Sequence, residues 1–138
     1  MRVHISISNE PSSYEEVQRF LRSDETGAIA LFEGVVRNDA LKEGGIVQHL
    51  FYEAHIPMVH AETQRLLEEL QTHFPIQAIY FHHLIGKVAV GSTSIWLGIA
   101  AKHRLEAFEA QTWFLNQFKK CIPIWKKEMG TSSENWVI

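Results

Sequence analysis

The sequence predicts an α+β fold in a single domain spanning residues 1–138, with a mixed or antiparallel sheet and about three helices. A chain of 138 residues is long enough to bury one core and short for two. Strand-like segments with β-branched or alternating apolar residues outnumber the helical segments. The two kinds of segment do not alternate strictly, as they would in a parallel βαβ sheet.

The first half of the chain contains four predicted elements. Apolar residues at positions 3, 5 and 7 alternate with polar ones, which predicts a half-buried strand. Ser13, with Glu15 and Glu16 after it, is placed for a capping box and predicts the start of a helix. In order, we expect a strand at 2–7, a helix that opens at 11–13 and runs to about 22, a buried strand at 27–36, a polar loop at 37–45, and a strand at 46–54 that pairs back.

The second half contains two longer helices and five strands. A helix at 57–73 ends before Pro75, and apolar residues near one face predict its buried side: Met58, Ala61, Leu66, Leu67 and Leu70. A helix from 103 to about 120 has an apolar stripe of Ala107, Ala110, Phe114, Phe118 and Cys121. The predicted strands are 76–84, 87–90, 94–101, 124–129 and 136–138.

Composition excludes several classes of function. The net charge of −3 argues against a general nucleic-acid binder. The chain has no apolar run of about 20 residues, and its first residues predict a strand and not a signal peptide, so we expect no membrane association. The single cysteine excludes an internal disulfide and suits a reducing cytoplasm. The eight histidines lack zinc-ligand spacing, so no metal site is expected.

A local cationic segment stands out against the acidic total. Four of the nine residues from Lys119 to Lys127 are lysines, interleaved with apolar residues. Lysines held beside apolar groups and beside one another lose part of their preference for the charged form, which can yield a nucleophile or base. A solvated charge run at a helix end is the alternative. Cys121 lies in the same segment, where a buried structural thiol is favoured over a nucleophile.

Two further positions suggest anion binding. Arg37 follows a buried strand, and His103 with Arg104 opens the last helix, where backbone N–H groups attract anions. Solvated surface positions are the alternative for both. Arg104 and Lys119 are 15 residues apart, about 22 Å along one helix, so a shared small ligand requires a long site or a second copy of the chain. Lys119 and Lys126 flank a proline turn and could converge.

Taken together, these segments resemble the large, catalytic subunit of molybdopterin synthase over about residues 3–137. No single element is specific, but the Arg37 segment, His103–Arg104 and the Pro-Ile-Trp-Lys-Lys-Glu run are specific in combination. Leu84 and Ser92 depart from the family pattern, which often has arginine and an acidic residue there. The matching elements are Gly27-Ala28 with Phe32, 34–37, Leu50 with 52–54, His83 with Ile85-Gly86, 101–104 with Ala107-Phe108, Lys119, 123–128 and Trp136.

The resemblance implies a hammerhead-like fold and a sulfur transfer. A small ubiquitin-like subunit would present a C-terminal Gly-Gly thiocarboxylate. Two sulfurs would pass to cyclic pyranopterin monophosphate and form the dithiolene of molybdopterin. The sulfur comes from the partner, so no cofactor is expected. The family implies a homodimer of large subunits inside a heterotetramer, in agreement with the helix-length argument.

The resemblance also assigns roles. Lys119 would be the general acid/base or the nucleophile, and Lys126 would hold substrate or stabilise developing negative charge. Arg37, His103 and Arg104 would bind phosphate, the last two across the dimer. Four residues would flank these in the substrate pocket: Val35, Val36, Lys127 and Glu128.

Two rival functions stay open from the sequence. A non-catalytic homodimer that binds an anionic pterin or a ubiquitin-like tail is the main alternative, although it has no need of both Lys119 and Lys126. A nucleotide-binding protein is disfavoured because the sequence has no phosphate loop.

Overall fold

Two four-stranded sheets and three helices make up the part of the chain that the computed structural model describes, residues 1–41, 44–130 and 134–137. The helices are α1 (Tyr14–Leu21), α2 (Ile56–His73) and α3 (Arg104–Cys121). The strands are β1 (Arg2–Ser8), β2 (Ala28–Val35), β3 (Val47–Ala54), β4 (Ile76–Leu84), β5 (Gly86–Ala89), β6 (Thr93–Ala101), β7 (Ile124–Gly130) and β8 (Glu134–Val137).

The first sheet has helices on both faces. Its order is β1-β4-β6-β2, with β1 parallel to β4 and the other pairs antiparallel. Alternate residues of β4 and β6 point to opposite faces, so Ile79 and Ile99 enter one core with α2 and α3. Tyr80 and Trp96 enter a second core under α1. Both central strands are therefore buried on both sides.

The second sheet packs against one end of the first. Its order is β5-β3-β7-β8, and all its pairs are antiparallel. A cluster joins the two sheets, because Leu84 at the end of β4 packs with residues of β3 and β5. Burial in this cluster explains why an apolar side chain stands at position 84. The cluster consists of Val36, Leu41, Val47, Leu50, Tyr52, Leu84 and Val88.

The α+β class, the three helices and the mixed pairing are confirmed. The capping box is present in part, since the Ser13 hydroxyl accepts a hydrogen bond from the Glu16 N–H. Element ends differ from the predictions by one or two residues, as helix and strand ends commonly do. The predicted strand at 136–138 corresponds to β8, and residue 138 lies outside the described residues.

Two details of the sequence prediction are wrong. The strand at 46–54 does not pair back on β2; β3 pairs with β5 and β7, and β2 pairs with β6. In α2, Met58 is 52 % exposed and Ala61 is also exposed, whereas Val59 and Thr63 are buried. Cys121 is half-buried, at the end of the α3 stripe.

Neither a metal cluster nor a membrane-spanning helix is found in the parts of the chain described above. No group of three or more His, Cys, Asp or Glu residues among them could hold a metal ion. No helix among them is both long and apolar enough to cross a membrane.

Candidate active site

A cavity of about 150 Å³ lies where α3, β4 and the second sheet meet. Lys119 from the last turn of α3 and Lys126 from β7 both line it. Its apolar lining comes from Phe118, Ile122 and Ile124. Two polar rings, Tyr52 and His83, complete the lining.

The chain reversal after α3 brings the two lysines together. The Ile122 N–H donates to the Phe118 carbonyl and closes the helix, and Pro123 then stands where the helix cannot continue. β7 begins at Ile124, and Lys126 lies directly opposite Tyr52 on β3. Cross-strand partners of this kind have Cβ atoms about 5 Å apart. The convergence predicted for the two lysines is therefore present.

Strand alternation separates the neighbouring charges of β7. Successive side chains of a strand point to opposite faces, so Lys126 and Glu128 share the face of the cavity-lining Ile124. Lys127 points to the other face. The structure thus brings Glu128 to the side of the cavity and directs Lys127 away from it.

The electrostatics of the cavity favour an anion. No hydrogen bond or ion pair joins Lys119 or Lys126 to another side chain of the described residues. Burial lowers the pKa of His83 to about 4, although its hydrogen bond to the Leu84 carbonyl opposes the shift, and His82 adds to it. Burial raises the pKa of Tyr52, and a hydrogen bond with Ser94 opposes that change. Two ammonium groups therefore stand beside a neutral imidazole and a neutral phenol.

Size alone does not identify the site. A larger, open depression of about 610 Å³ lies beside residues 22–29. It combines Arg22 with Asp24 and has no convergent pair of like charges. The small cavity is the better candidate because two cations converge there without a counterion among the described side chains.

Arg37 lies at the same end of the first sheet as Lys119. It follows β2, which ends beside the start of β6 because the two strands are antiparallel. α3 runs back across the sheet after β6, and Phe118 contacts His83 near the end of β4. The Arg37 side chain is 81 % exposed and forms a 3.2 Å ion pair with Asp39.

His103 and Arg104 lie at the opposite end of α3. His103 is the N-cap, and its Nδ1 is 3.6 Å from the Glu106 carboxylate. The 18 residues of α3 extend about 27 Å, so these two side chains cannot reach the cavity of the same chain. The structure separates them from Lys119 and Lys126, as the spacing predicts.

Val35 and Val36 have different environments. A β-bulge lies between Gly34 and Val35, and Val35 is 48 % exposed. Val36 is buried in the cluster that joins the sheets, and its backbone bonds to the turn at Gly91 and Ser92. Val36 thus anchors the segment that carries Arg37.

Sequence reasoning missed Tyr52 and His83 as site residues. Both belong to segments that carry the family resemblance, yet neither was given a role. A signal for His83 was available, because a histidine in a strand that is mostly buried requires a reason for its burial. No local pattern marks Tyr52, whose position depends on pairing with β7.

Comparison with known proteins gives consistent matches. A family model described as MoaE protein matches residues 7–121. The molybdopterin synthase catalytic subunit of Pyrococcus abyssi is 37 % identical over 135 residues, which are 96 % of this chain and 90 % of that protein. The crystal structure of molybdopterin synthase from Staphylococcus aureus aligns with a TM-score of 0.86 at 27 % identity, over 96 % of this chain and 95 % of that one.

A fourth match concerns the fold alone. A protein–protein complex of subunits 1 and 2 of molybdopterin-converting factor from Helicobacter pylori aligns with a TM-score of 0.78 at 19 % identity. The alignment covers 98 % of this chain and 89 % of that one.

Proposed function

The chain belongs to the MoaE family, and on that premise we propose that it is the catalytic subunit of a molybdopterin synthase. It is a sulfurtransferase. Its substrate is cyclic pyranopterin monophosphate, and its sulfur donor is the C-terminal thiocarboxylate of a small ubiquitin-like subunit. The product carries the dithiolene of molybdopterin, and no resident cofactor takes part.

The convergence of Lys119 and Lys126 in one cavity carries this proposal. The phosphate, the thiocarboxylate and the carboxylate left on the carrier are all anionic. A site that joins them must neutralise negative charge before the reacting groups can approach. Two ammonium groups that have no carboxylate partner among the described side chains, in a partly apolar cavity, suit that task.

The two lysines have different parts in the reaction. Lys119, at the exposed mouth of the cavity, meets the incoming tail as general acid/base or nucleophile. Lys126 is half-buried and holds the anionic group as its charge grows. Glu128 shares the face of Lys126, and Val36 fixes the segment that presents Val35 and Arg37. Lys127 points away from the cavity and has no part in it.

A homodimer inside a heterotetramer is the assembly that we propose. The length of α3 supports it, because His103 and Arg104 lie too far from the cavity of their own chain. In a dimer they bind the substrate phosphate at the partner's cavity, together with Arg37. The relatives are named catalytic subunits, and that name supports the presence of a second subunit in the assembly. The single cysteine supports a cytoplasmic location.

A reconstitution tests the proposal. The protein is mixed with a thiocarboxylated small subunit and cyclic pyranopterin monophosphate, and the dithiolene product is assayed. Lys119→Ala should lower turnover by at least about 100-fold, because a group that transfers protons or attacks the tail is lost. Lys120→Ala is the matched control, since Lys120 is exposed and outside the cavity.

Each result has a definite meaning. Product formed by the parent and by Lys120→Ala, and absent with Lys119→Ala, supports the enzyme and the role of Lys119 together. No product from the parent, with the small subunit still bound, would favour the non-catalytic binding module. Parental turnover by Lys119→Ala would contradict the assigned role.

A further inference from the structure

Tyr52 brings a buried hydroxyl to the junction of the two sheets, and that hydroxyl takes no part in the proposed sulfur transfer. Tyr52 is 9 % exposed and lines the cavity from β3, where it is the cross-strand partner of Lys126. Its ring packs edge-on against His83, at 4.9 Å between centroids. Burial raises the pKa of Tyr52, so the phenol keeps its proton at neutral pH. A buried donor of this kind requires a partner.

The partner is Ser94, the extra residue of a β-bulge in β6. Gly34 and Val35 are consecutive in β2, but their partners in β6 are residues 95 and 93, and Ser94 lies between these two. In a regular strand Ser94 would point to the same face as Trp96, which packs under α1. A bulge breaks the alternation and re-aims a side chain, commonly next to an active site. Ser94 is 5 % exposed and forms a hydrogen bond with the Tyr52 side chain.

The two hydrogen bonds of Ser94 have a defined direction. Its Oγ donates to the Gly34 carbonyl oxygen at 3.2 Å, and a carbonyl can only accept. A serine hydroxyl has one proton, so its oxygen accepts the proton of the Tyr52 phenol. Ionisation of Tyr52 would turn the serine proton towards the phenolate, which is why this contact opposes the rise in the pKa of Tyr52. At neutral pH a chain of two hydrogen bonds therefore runs from β3 of the second sheet to β2 of the first.

The chain of bonds ends on the backbone that presents Arg37. Gly34 accepts from Ser94, and Val36 both donates and accepts in backbone bonds to the turn before β6. These bonds fix the backbone on both sides of Val35. The Arg37 side chain is mostly exposed, so its place at the cavity depends on where this backbone holds it.

We propose that Tyr52 is a positioning residue whose hydroxyl, through Ser94, holds the backbone of residues 34–37 at a fixed distance from Lys126. The inference rests on the proposed function, in which Lys126 and Arg37 hold anionic groups of the substrates. These two side chains belong to different sheets, and the substrate must match the distance between them. The two hydrogen bonds fix that distance without adding a charge that would compete with the anions.

Two variants break the chain at different bonds. Tyr52→Phe removes the phenol proton and keeps the ring, and Ser94→Ala removes the hydroxyl between the phenol and Gly34. Tyr80→Phe is the matched control, because Tyr80 is a buried tyrosine whose hydroxyl lies 2.7 Å from the Ser12 hydroxyl, under α1 on the other face of the first sheet. Either of the first two variants suffices for the test if the other does not fold.

The kinetic test separates KM from kcat. Tyr52→Phe and Ser94→Ala should each raise KM for cyclic pyranopterin monophosphate about 3- to 10-fold, the contribution of one hydrogen bond, and change kcat less than about two-fold. Tyr80→Phe should keep the parental KM. A parental KM in the two chain-breaking variants would overturn the proposal, and so would an equal rise in the control.

The Arg37→Ala background shows whether Tyr52 acts through Arg37. If it does, adding Tyr52→Phe to Arg37→Ala should change KM by less than about two-fold, because the residue that Tyr52 positions is already absent. The same rise in KM with and without Arg37 would show that the hydroxyl acts by another route, and the assigned role would be wrong.

Backbone NMR tests the chain of bonds without substrate or turnover. A hydrogen bond to the Gly34 carbonyl affects the ¹³C resonance of that carbonyl and the ¹⁵N resonance of the Val35 amide in the same peptide. Tyr52→Phe and Ser94→Ala should shift both resonances in the same direction, and Tyr80→Phe should leave them in place. Unchanged resonances would refute the chain. If reconstitution gave no product while these shifts were as expected, the sulfur transfer would fail and the connection from Tyr52 to β2 would stand.

Discussion

A histidine kept neutral beside two lysines makes the stability of this protein depend on pH. In the unfolded chain the imidazole titrates near 6.5, and in the folded protein the pKa of His83 is about 4, because burial disfavours its charged form. Between these values the unfolded state binds more protons. Above pH 6.5 the titration of His83 does not lower the free energy of unfolding. As the pH falls from 6.5 towards 4, the free energy of unfolding decreases progressively.

The first prediction follows from that sign. The free energy of unfolding should fall by roughly 3 kcal/mol through His83 alone between pH 7 and pH 4. Urea unfolding at several pH values measures it, with His83→Gln as the variant that lacks this titration. Burial also lowers the pKa values of His4 and His82, but both groups are present in each protein and cancel in the comparison. Equal pH slopes for parent and variant would contradict the prediction.

The cationic segment shows which site residues can be predicted from residue type alone, before the fold is known. Charge and apolar interleaving were enough to select the segment from Lys119 to Lys127, and the family resemblance singled out Lys119 and Lys126 within it. The different directions of Lys126 and Lys127 depend on which face of β7 meets the cavity, and the sequence does not specify that face. The place of His83 in the cavity lining depends on the same packing.

At the scale of elements, α1 approaches the first sheet closely because β6 has a glycine beneath it. A Cβ on Gly98 would lie 2.3 Å from Cδ1 of Leu21 and 3.4 Å from Cγ1 of Val17, both fully buried. The 2.3 Å distance to Leu21 is well inside van der Waals contact. An added methyl group must therefore displace α1 or force Leu21 into another rotamer.

The second prediction is that Gly98→Ala destabilises the protein by about 1–3 kcal/mol. The sulfur transfer of the folded fraction should be unchanged, because α1 and the cavity-lining α3 pack on opposite faces of the sheet. Chemical denaturation of Gly98→Ala, Leu21→Ala and the double variant measures the coupling. If the clash is the cause, the double variant loses less than the sum of the single ones. Strict additivity would assign the loss to another contact.

The helices and strands were easier to predict than the pairing of the strands. Alternation and apolar runs located the strands because those patterns are local. The capping residues located α1, and Pro75 located the end of α2. The pairing of β3 with β7, whose partner residues are 70 or more positions apart, has no local signature. Short connections favour neighbours, so the expectation that β3 returns to β2 followed the usual rule and failed here. The length of α3, by contrast, was enough to separate Arg104 from Lys119.

At the scale of the whole molecule, the proposed dimer gives each site residues from two chains. In a mixed dimer of Lys119→Ala and Arg104→Ala, one site lacks both side chains and the other has both intact. Random mixing in equal amounts makes about half of the dimers mixed, so about a quarter of parental activity should return.

The third prediction is that restoration, measured after unfolding and refolding the two inactive variants together. Each variant refolded alone is the control, since subunit exchange cannot restore either. No activity above the two controls, with mixed dimers confirmed by mass spectrometry, would place the whole site in a single chain.

The cavity has one lysine on each side of a boundary. Lys119 belongs to α3, which is packed on the first sheet, and Lys126 belongs to the second sheet. The packing around Leu84 and the reversal at Pro123 help to hold the two sheets at a fixed angle. The distance between the two amines therefore depends on the angle between the two sheets. A small rotation of one sheet would change the spacing of the two lysines without altering either side chain. Substitutions around Leu84, which lies outside the cavity, should therefore change the catalytic rate.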